Sequence, residues 1–232
     1  MISIFPSSSR GHVDFGWLDT RHTFSFGHWH NPDRMGFHAL RVINEDRVLP
    51  DNGFGKHFHD DMEILTYVYE GELTHQDNTG GGGVIRRGDV QRMSAGRGII
   101  HSEFNKSKTE DCKLLQIWII PNEIGIVPEY DQKQFSDEAK RGVLRLIASG
   151  DGRDGSLRMH QDASVYASIL PAEGGVELPL APDRHVWVQV VRGHLEINET
   201  PLMAGDGAEI EAERALDFVA KEESEFLVFD LP

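Results

Sequence analysis

The sequence predicts an all-β chain built from two related halves, and three observations predict it. Short runs rich in Val, Ile, Leu, Tyr and Trp recur between Gly, Pro, Asn and Asp: "ALRVINEDRVL", "EILTYVYEGELTH", "KLLQIWII", "VLRLIAS", "HVWVQVVRGHLEIN" and "EFLVFDL". Helical periodicity is nowhere sustained, and "QFSDEAKRG" has room for a short helix at most. Third, "TYVYEGELTH" (66–75) and "VQVVRGHLEI" (188–197) share one pattern: an apolar strand, a glycine, then an alternating strand. Many short strands without long helices make sandwiches or barrels.

Each repeat is followed by a Gly-Asp pair, Gly88-Asp89 in the first and Gly205-Asp206 in the second. The offset of about 120 residues is half the chain, as an internal duplication gives. The longest polar stretch, "PEYDQKQFSDEAKRG", marks the boundary, so residues 1–133 and 134–232 are expected to form two domains.

A hydrophobic fraction of 39% is that of a globular protein. The net charge of −15 repels phosphates, and the densest basic cluster, "GVIRRGD", is too small to reverse this, so direct nucleic-acid binding is not expected. No run approaches 18 consecutive apolar residues, and "MISIFPSSSRGHVDF" has no signal-peptide core. The lone Cys112 allows no internal disulfide and fits a reducing compartment. A cytoplasmic protein with no membrane contact is expected. Cys112 lies among acids in "TEDCKLLQ", which disfavours a thiolate nucleophile.

Histidines supply the candidate chemistry. In "GFGKHFHDDMEI", His57 and His59 are one residue apart, with Glu63 four positions on. In "GIIHSEFN", His101 and Glu103 are spaced likewise. Residues i and i+2 of a strand share a face. Both pairs pointing into a closed barrel would offer three nitrogens and one oxygen, a donor set for Fe, Mn, Co, Ni, Cu or Zn. His28 and His30 in "FGHWHNP" run into an Asn-Pro turn without an acidic partner, and a packing or pocket-edge role is expected. His75 is expected on a solvated strand end, and the isolated His12, His22 and His38 in structural roles. "TGGGG" (79–83) lacks the Lys-Ser/Thr and helix of a phosphate cradle and reads as a flexible hairpin loop.

The first His-x-His pair and its following glycine, then Gly88, "SAGRGIIHSEFN", His101 and Asn105, resemble the two cupin motifs. Cupins place six residues between the ligand glutamate and the closing glycine; here seven separate Glu63 from Gly71. A one-residue slip turns a strand side chain to the other face. Glu63 is therefore expected to point away and to hydrogen-bond elsewhere, with Glu103 taking its place beside His57, His59 and His101.

With "RGHVDFGWLDTRHTFSFGHW", "LRVINED" and "DMEILTYVYEGELTHQD", this pattern resembles the pirin family, and within it the bacterial pirin-like quercetin 2,3-dioxygenases. The resemblance is specific to about residue 130 and looser beyond. It implies a bicupin, two jelly-roll β-barrels packed together, with metal in the N-terminal barrel only. The C-terminal half agrees: the regions equivalent by spacing, "PLAPD" and "LDFVAK", hold no histidine, and His185 and His194 cannot make a tetrad.

The resemblance implies a divalent transition metal, Fe(2+) first, with Mn(2+), Ni(2+), Co(2+), Cu(2+) or Zn(2+) as alternatives. A cysteine-free set of four ligands leaves open positions, unlike a structural zinc site. The substrates implied are a flavonol such as quercetin and O2, with ring opening to a depside and release of carbon monoxide. Glu103 could accept the 3-hydroxyl proton. Gln116, a polar residue in an apolar strand, faces either pocket or solvent. Asn105 and Glu63 are weaker supporting candidates, and Phe54, Phe58 and Met93 are candidates for the entrance or the core. The alternative is a non-enzymatic, metal-binding pirin that acts as a regulatory module on a protein partner.

Overall fold

The structure, a computed structural model, describes all 232 residues. Its strands run in order: β1 (Ile2–Phe5), β2 (Gly11–Asp14), β3 (Leu18–His22), β4 (Leu40–Val48), β5 (Asn52–His59), β6 (Glu63–Glu70), β7 (Glu72–Asp77), β8 (Gly82–Arg86), β9 (Asp89–Ser94), β10 (Ile99–Asn105), β11 (Cys112–Ile119) and β12 (Glu129–Gln134). After the short helix α1 (Asp137–Lys140) follow β13 (Arg145–Ser149), β14 (Leu157–Arg158), β15 (Ser164–Leu170), β16 (Gly175–Pro179), β17 (His185–Arg192), β18 (His194–Ile197), β19 (Thr200–Met203), β20 (Gly207–Ile210), β21 (Ala215–Ala220) and β22 (Ser224–Leu231). The expected helix in "QFSDEAKRG" is a single turn, capped by the Ser136 side chain accepting from the Ala139 amide. No helix is long and apolar enough to cross a membrane.

Two compact units emerge. One comprises Gly11–Gln134 with Met159–Gln161; the other comprises Met1–Arg10, Phe135–Arg158 and Asp162–Pro232. The first ten residues, expected in the N-terminal domain, thus belong to the C-terminal unit. Their strand β1 pairs with β20, with Ile2 opposite Ile210. A four-residue edge strand carries too little pattern for its partner to be read from sequence.

Each unit has the same design. In the N-terminal unit a seven-stranded sheet, β12-β9-β6-β11-β4-β3-β2, accompanies a four-stranded sheet, β5-β10-β7-β8. In the C-terminal unit the corresponding orders are β1-β20-β17-β22-β15-β13-β14 and β16-β21-β18-β19. The repeats recognised in the sequence are β6–β7 and β17–β18. Gly71 and Gly193 join them at φ of +73° and +91°. A Cβ on Gly71 would lie 2.3 Å from the Asp111 carbonyl oxygen, so the turn demands glycine.

The strand equivalent to β5 is β16, "GVELP", which ends where the expected "PLAPD" begins. The equivalent of β10 is β21, which holds "LDFVA" as expected. Alternation on β10 buries Ile99, His101, Glu103 and Asn105 and turns Ile100 and Phe104 outward. This alternation sets which side chains of β10 reach the interior.

Candidate metal centre

Register brings the two histidine pairs together. In the antiparallel β5–β10 ladder, His57 lies opposite His101 and Ile99 opposite His59. The register then shifts, so that Glu103 lies opposite Phe54. Three residues of β5 thus span two of β10, and this bulge at Gly55 and Lys56 lets Phe54 and His57 serve one face. The imidazole centroids are 4.7 Å apart for His57 and His59, 4.3 Å for His57 and His101, and 4.8 Å for His59 and His101. One nitrogen from each lies within 4.8 Å of the others.

Local bonds prepare these rings. His57 Nδ1 lies 2.8 Å from the Gly55 carbonyl oxygen, which only accepts, so in the neutral ring Nδ1 carries the proton and Nε2 a lone pair. That Nε2 faces His101 Nε2 at 2.9 Å. Burial, with His57 close by, pushes His59 down to about 4. Burial, reinforced by His57, His59 and His75, pushes His101 down to about 2. His59 and His101 are thus held neutral at physiological pH, the protonation state that metal ligation requires. Imidazole nitrogens converging from the half-buried His57 and His59 and the buried His101 are a donor set that a divalent transition metal fits.

Glu103 is 3% exposed. One carboxylate oxygen lies within 4.8 Å of ring nitrogens of His101 and His75. Burial first, then the nearby Asp46 charge, pushes it up to about 7, against the pull of the Thr66 hydroxyl. The Thr66 hydroxyl lies 3.4 Å from Glu103 Oε1 and 3.1 Å from Gln116 Oε1. One hydroxyl proton cannot serve two acceptors. Exchanging the amide atoms of Gln116 yields a chain in which Gln116 donates to Thr66 and Thr66 to Glu103. Gln116 thereby faces the site, the pocket side of the two readings.

A cavity of about 400 Å³ opens over this cluster, bounded by His57, His59, Glu103 and Gln116. Trp17, Phe26, Phe54 and Trp118 give it flat apolar walls, and Asn44 and Asp46 a polar edge. A neighbouring cavity of about 280 Å³ shares Trp17, Phe26, Asn44, Asp46 and Phe54. Of the expected entrance residues, Phe54 lines the cavity, Phe58 is 59% exposed and Met93 is fully buried in the core. Trp17, Phe26 and Trp118 were not singled out by sequence, because they come from segments far apart in the chain.

Glu63 lies on the other face of β6 from Thr66, and its Oε2 accepts from the Ser94 hydroxyl at 2.9 Å. Asn105 donates to the carbonyls of Val48 and Glu110 and so ties strand ends rather than the site. His28 and His30 line cavities beside the cluster. His22, buried, lies 2.7 Å from Asn44 Oδ1. Burial, with Glu103 and other acids, pushes Cys112 up to about 12.

The main correction concerns His75, whose side chain is fully enclosed rather than solvated. On β7 the alternation that buries Leu73 also buries His75. Its Nε2 meets Asp77 Oδ2 at 3.2 Å, its Nδ1 lies 3.3 Å from His101 Nδ1, and its ring stacks on Tyr130. Burial lowers its proton affinity, against the Asp77 charge. Asp77 Oδ1 accepts from the Thr79 amide and hydroxyl and the Gly81 amide, so the glycine loop closes onto this carboxylate. Burial alone would raise Asp77, but these bonds and that of His75 outweigh it and lower it. The i,i+2 rule applied to His57 and His59 would have paired His75 with Asp77 as well.

Comparison with known proteins places this geometry. A family described as Pirin matches residues 6–119, and one described as Quercetinase C-terminal cupin domain matches residues 146–231. The solved structure of the bacterial pirin YhhW from Escherichia coli, in complex with nickel(II), superposes with a TM-score of 0.95. It is 46% identical, and the match covers 100% of this chain and 99% of that one. The chain belongs to the pirin family. A quercetin 2,3-dioxygenase of Escherichia coli strain K12 is 48% identical over 233 residues, 100% of this chain and 99% of that protein. A pirin-like protein of Caulobacter vibrioides is 39% identical, covering 99% of each. The two cupin units expected from the sequence are thus the pirin fold.

Proposed function

We propose that this pirin is a metal-dependent dioxygenase that opens the ring of flavonols such as quercetin with O2 and releases carbon monoxide. The observation that carries the reading is the cluster of His57, His59 and His101, with the buried Glu103 beside His101, against an aromatic cavity that His57, His59 and Glu103 line. The quercetin 2,3-dioxygenase name of the Escherichia coli relative and the nickel(II) held by the Escherichia coli pirin support it.

The four side chains would hold one divalent transition metal, Fe(2+) in our reading, which when bound supplies Lewis acidity and open coordination positions. The rest is the work of the chain. Trp17, Phe26, Phe54 and Trp118 offer flat faces to a planar polycyclic substrate. A cavity of about 400 Å³ suits a molecule of that size. Glu103, held by Thr66, is the proton acceptor for the flavonol 3-hydroxyl, since only one of its oxygens is needed for ligation.

The test is oxygen-dependent loss of quercetin absorbance with Fe(II)-, Mn(II)-, Ni(II)- and Cu(II)-loaded protein beside His101→Ala, scored for carbon monoxide. Turnover that needs metal, makes carbon monoxide and is lost with His101 is the expected result. Metal binding without turnover above the variant refutes the flavonol reading and favours a metal-dependent binding module.

A further inference from the structure

His75 and Asp77 lie outside the proposed ligand set, yet both side chains are fully enclosed beside it. β7 carries them to the site because it pairs with β10 so that Glu103 faces His75 and His101 faces Asp77. The bonds between them have only one consistent direction. Asp77 Oδ1 already receives the Thr79 amide at 2.8 Å, the Thr79 hydroxyl at 2.7 Å and the Gly81 amide at 2.9 Å. A carboxylate so supplied is an acceptor only, so the contact with Oδ2 at 3.2 Å requires the proton on His75 Nε2. A neutral imidazole then has a lone pair on its other nitrogen. His75 Nδ1 must accept from His101 Nδ1, 3.3 Å away. With its proton on Nδ1, His101 presents a bare Nε2.

That bare Nε2 is the atom 2.9 Å from His57 Nε2, which in the neutral ring is bare as well, because Nδ1 of His57 then donates to the Gly55 carbonyl. Two lone pairs face each other, an arrangement made favourable by a shared cation.

We propose that Asp77 and His75 are positioning residues, a directed hydrogen-bond chain from the glycine loop that locks the His101 tautomer and orientation for metal binding. The proposal rests on the reading of His101 as a metal ligand. The loop has a part in it: a Cβ on Gly81 would lie 2.3 Å from Asp77 Oδ2, so glycine lets the loop amides reach the carboxylate. His75 also comes within 4.8 Å of His101 and Glu103 as a candidate ligand. Both its nitrogens are already engaged, which makes it a support of the site rather than a member of it.

Two measurements on the full chain test this. Nitrogen-15 imidazole NMR of the Zn(II)-loaded protein should find His75 as the Nε2–H tautomer with a bare Nδ1. Nickel(II) calorimetry should find affinity reduced roughly 10- to 100-fold in Asp77→Asn, the usual size of losing such an outer partner. The Asn amide can donate to His75 Nε2 and so reverse the whole chain. His75 found as Nδ1–H overturns the proposal. So does a folded Asp77→Asn that binds nickel(II) like the parent while His101→Ala does not. If His101→Ala itself binds normally, the ligand reading fails and this proposal with it. If Asp77→Asn does not fold, the His75 tautomer of the parent decides.

Discussion

Glu103 makes the metal-free pirin less stable than its packing alone would allow, and Glu103→Gln measures by how much. Burial and the Asp46 charge raise its carboxyl from 4.5 to about 7. The folded chain holds that proton up to about pH 7, whereas the unfolded chain releases it near 4.5. The folded state therefore binds more protons across this window, and stability falls as pH rises through it. The gap corresponds to about 3 kcal/mol at about 1.4 kcal/mol per pH unit. The penalty is complete above pH 7, shrinks below about 1 kcal/mol at pH 5, and vanishes below 4.5. Glutamine keeps the size without the charge. The assay is thermal and urea unfolding of both proteins in chelator at pH 5 and pH 8. Metal-free Glu103→Gln should be about 3 kcal/mol more stable at pH 8, a rise of roughly 6–12 °C for a domain of this size, and nearly unchanged at pH 5. Nickel(II) should close or reverse the gap, because the ion compensates the charge in the parent alone. A metal-free Glu103→Gln that is no more stable than the parent at pH 8 refutes the argument.

The remaining predictions separate site from scaffold. His59→Ala should lower nickel(II) affinity by more than the roughly 100-fold that bounds loss of an outer partner, read by calorimetry. Ser94→Ala removes the donor to buried Glu63 and the acceptor of Arg92 Nη1, and should cost about 1–3 kcal/mol in urea unfolding while leaving nickel(II) affinity unchanged. Trp17→Ala removes a cavity wall and should raise KM for quercetin roughly tenfold, about 1.4 kcal/mol, without altering metal binding.

The parts of the site legible in the sequence are those governed by strand alternation. His57 with His59, and His101 with Glu103, share faces because residues two apart must, and Glu63 falls to the far side for the same reason. What could not be read depends on partners remote in the chain. The bulge that puts Phe54 on the face of His57 exists only against β10. The aromatic walls gather Trp17, Phe26, Phe54 and Trp118 from four segments. The pairing of β1 with β20 joins residues about two hundred positions apart, with nothing in "ISIF" to announce it. His75 differs, because its burial follows from the alternation of β7, although its place beyond the Gly71 turn reads as a solvated strand end.

The two units show what occupies the corresponding positions in the C-terminal half. His57 faces His101, and Glu103 faces His75, across the small sheet of the N-terminal unit. In the C-terminal unit the equivalent pairs are Leu178 opposite Leu216, and Phe218 opposite Ile197. Four polar positions thus become leucine, leucine, phenylalanine and isoleucine within one apolar cluster. Burying each such side chain is worth about 1.5–3 kcal/mol and needs no ion. The N-terminal positions instead enclose imidazoles and a carboxylate, and the facing nitrogens of His57 and His101 are the pair that a cation would compensate. Metal should therefore stabilise one small sheet and not the other. At nickel(II) one hundred times its Kd, binding adds about 2.7 kcal/mol to the state that holds it. Amide hydrogen exchange should slow on β5, β7 and β10 and remain unchanged on β16, β18 and β21. Equal slowing on both small sheets would mean that the ion acts through the whole chain rather than through the four polar positions, and would refute this account of the centre.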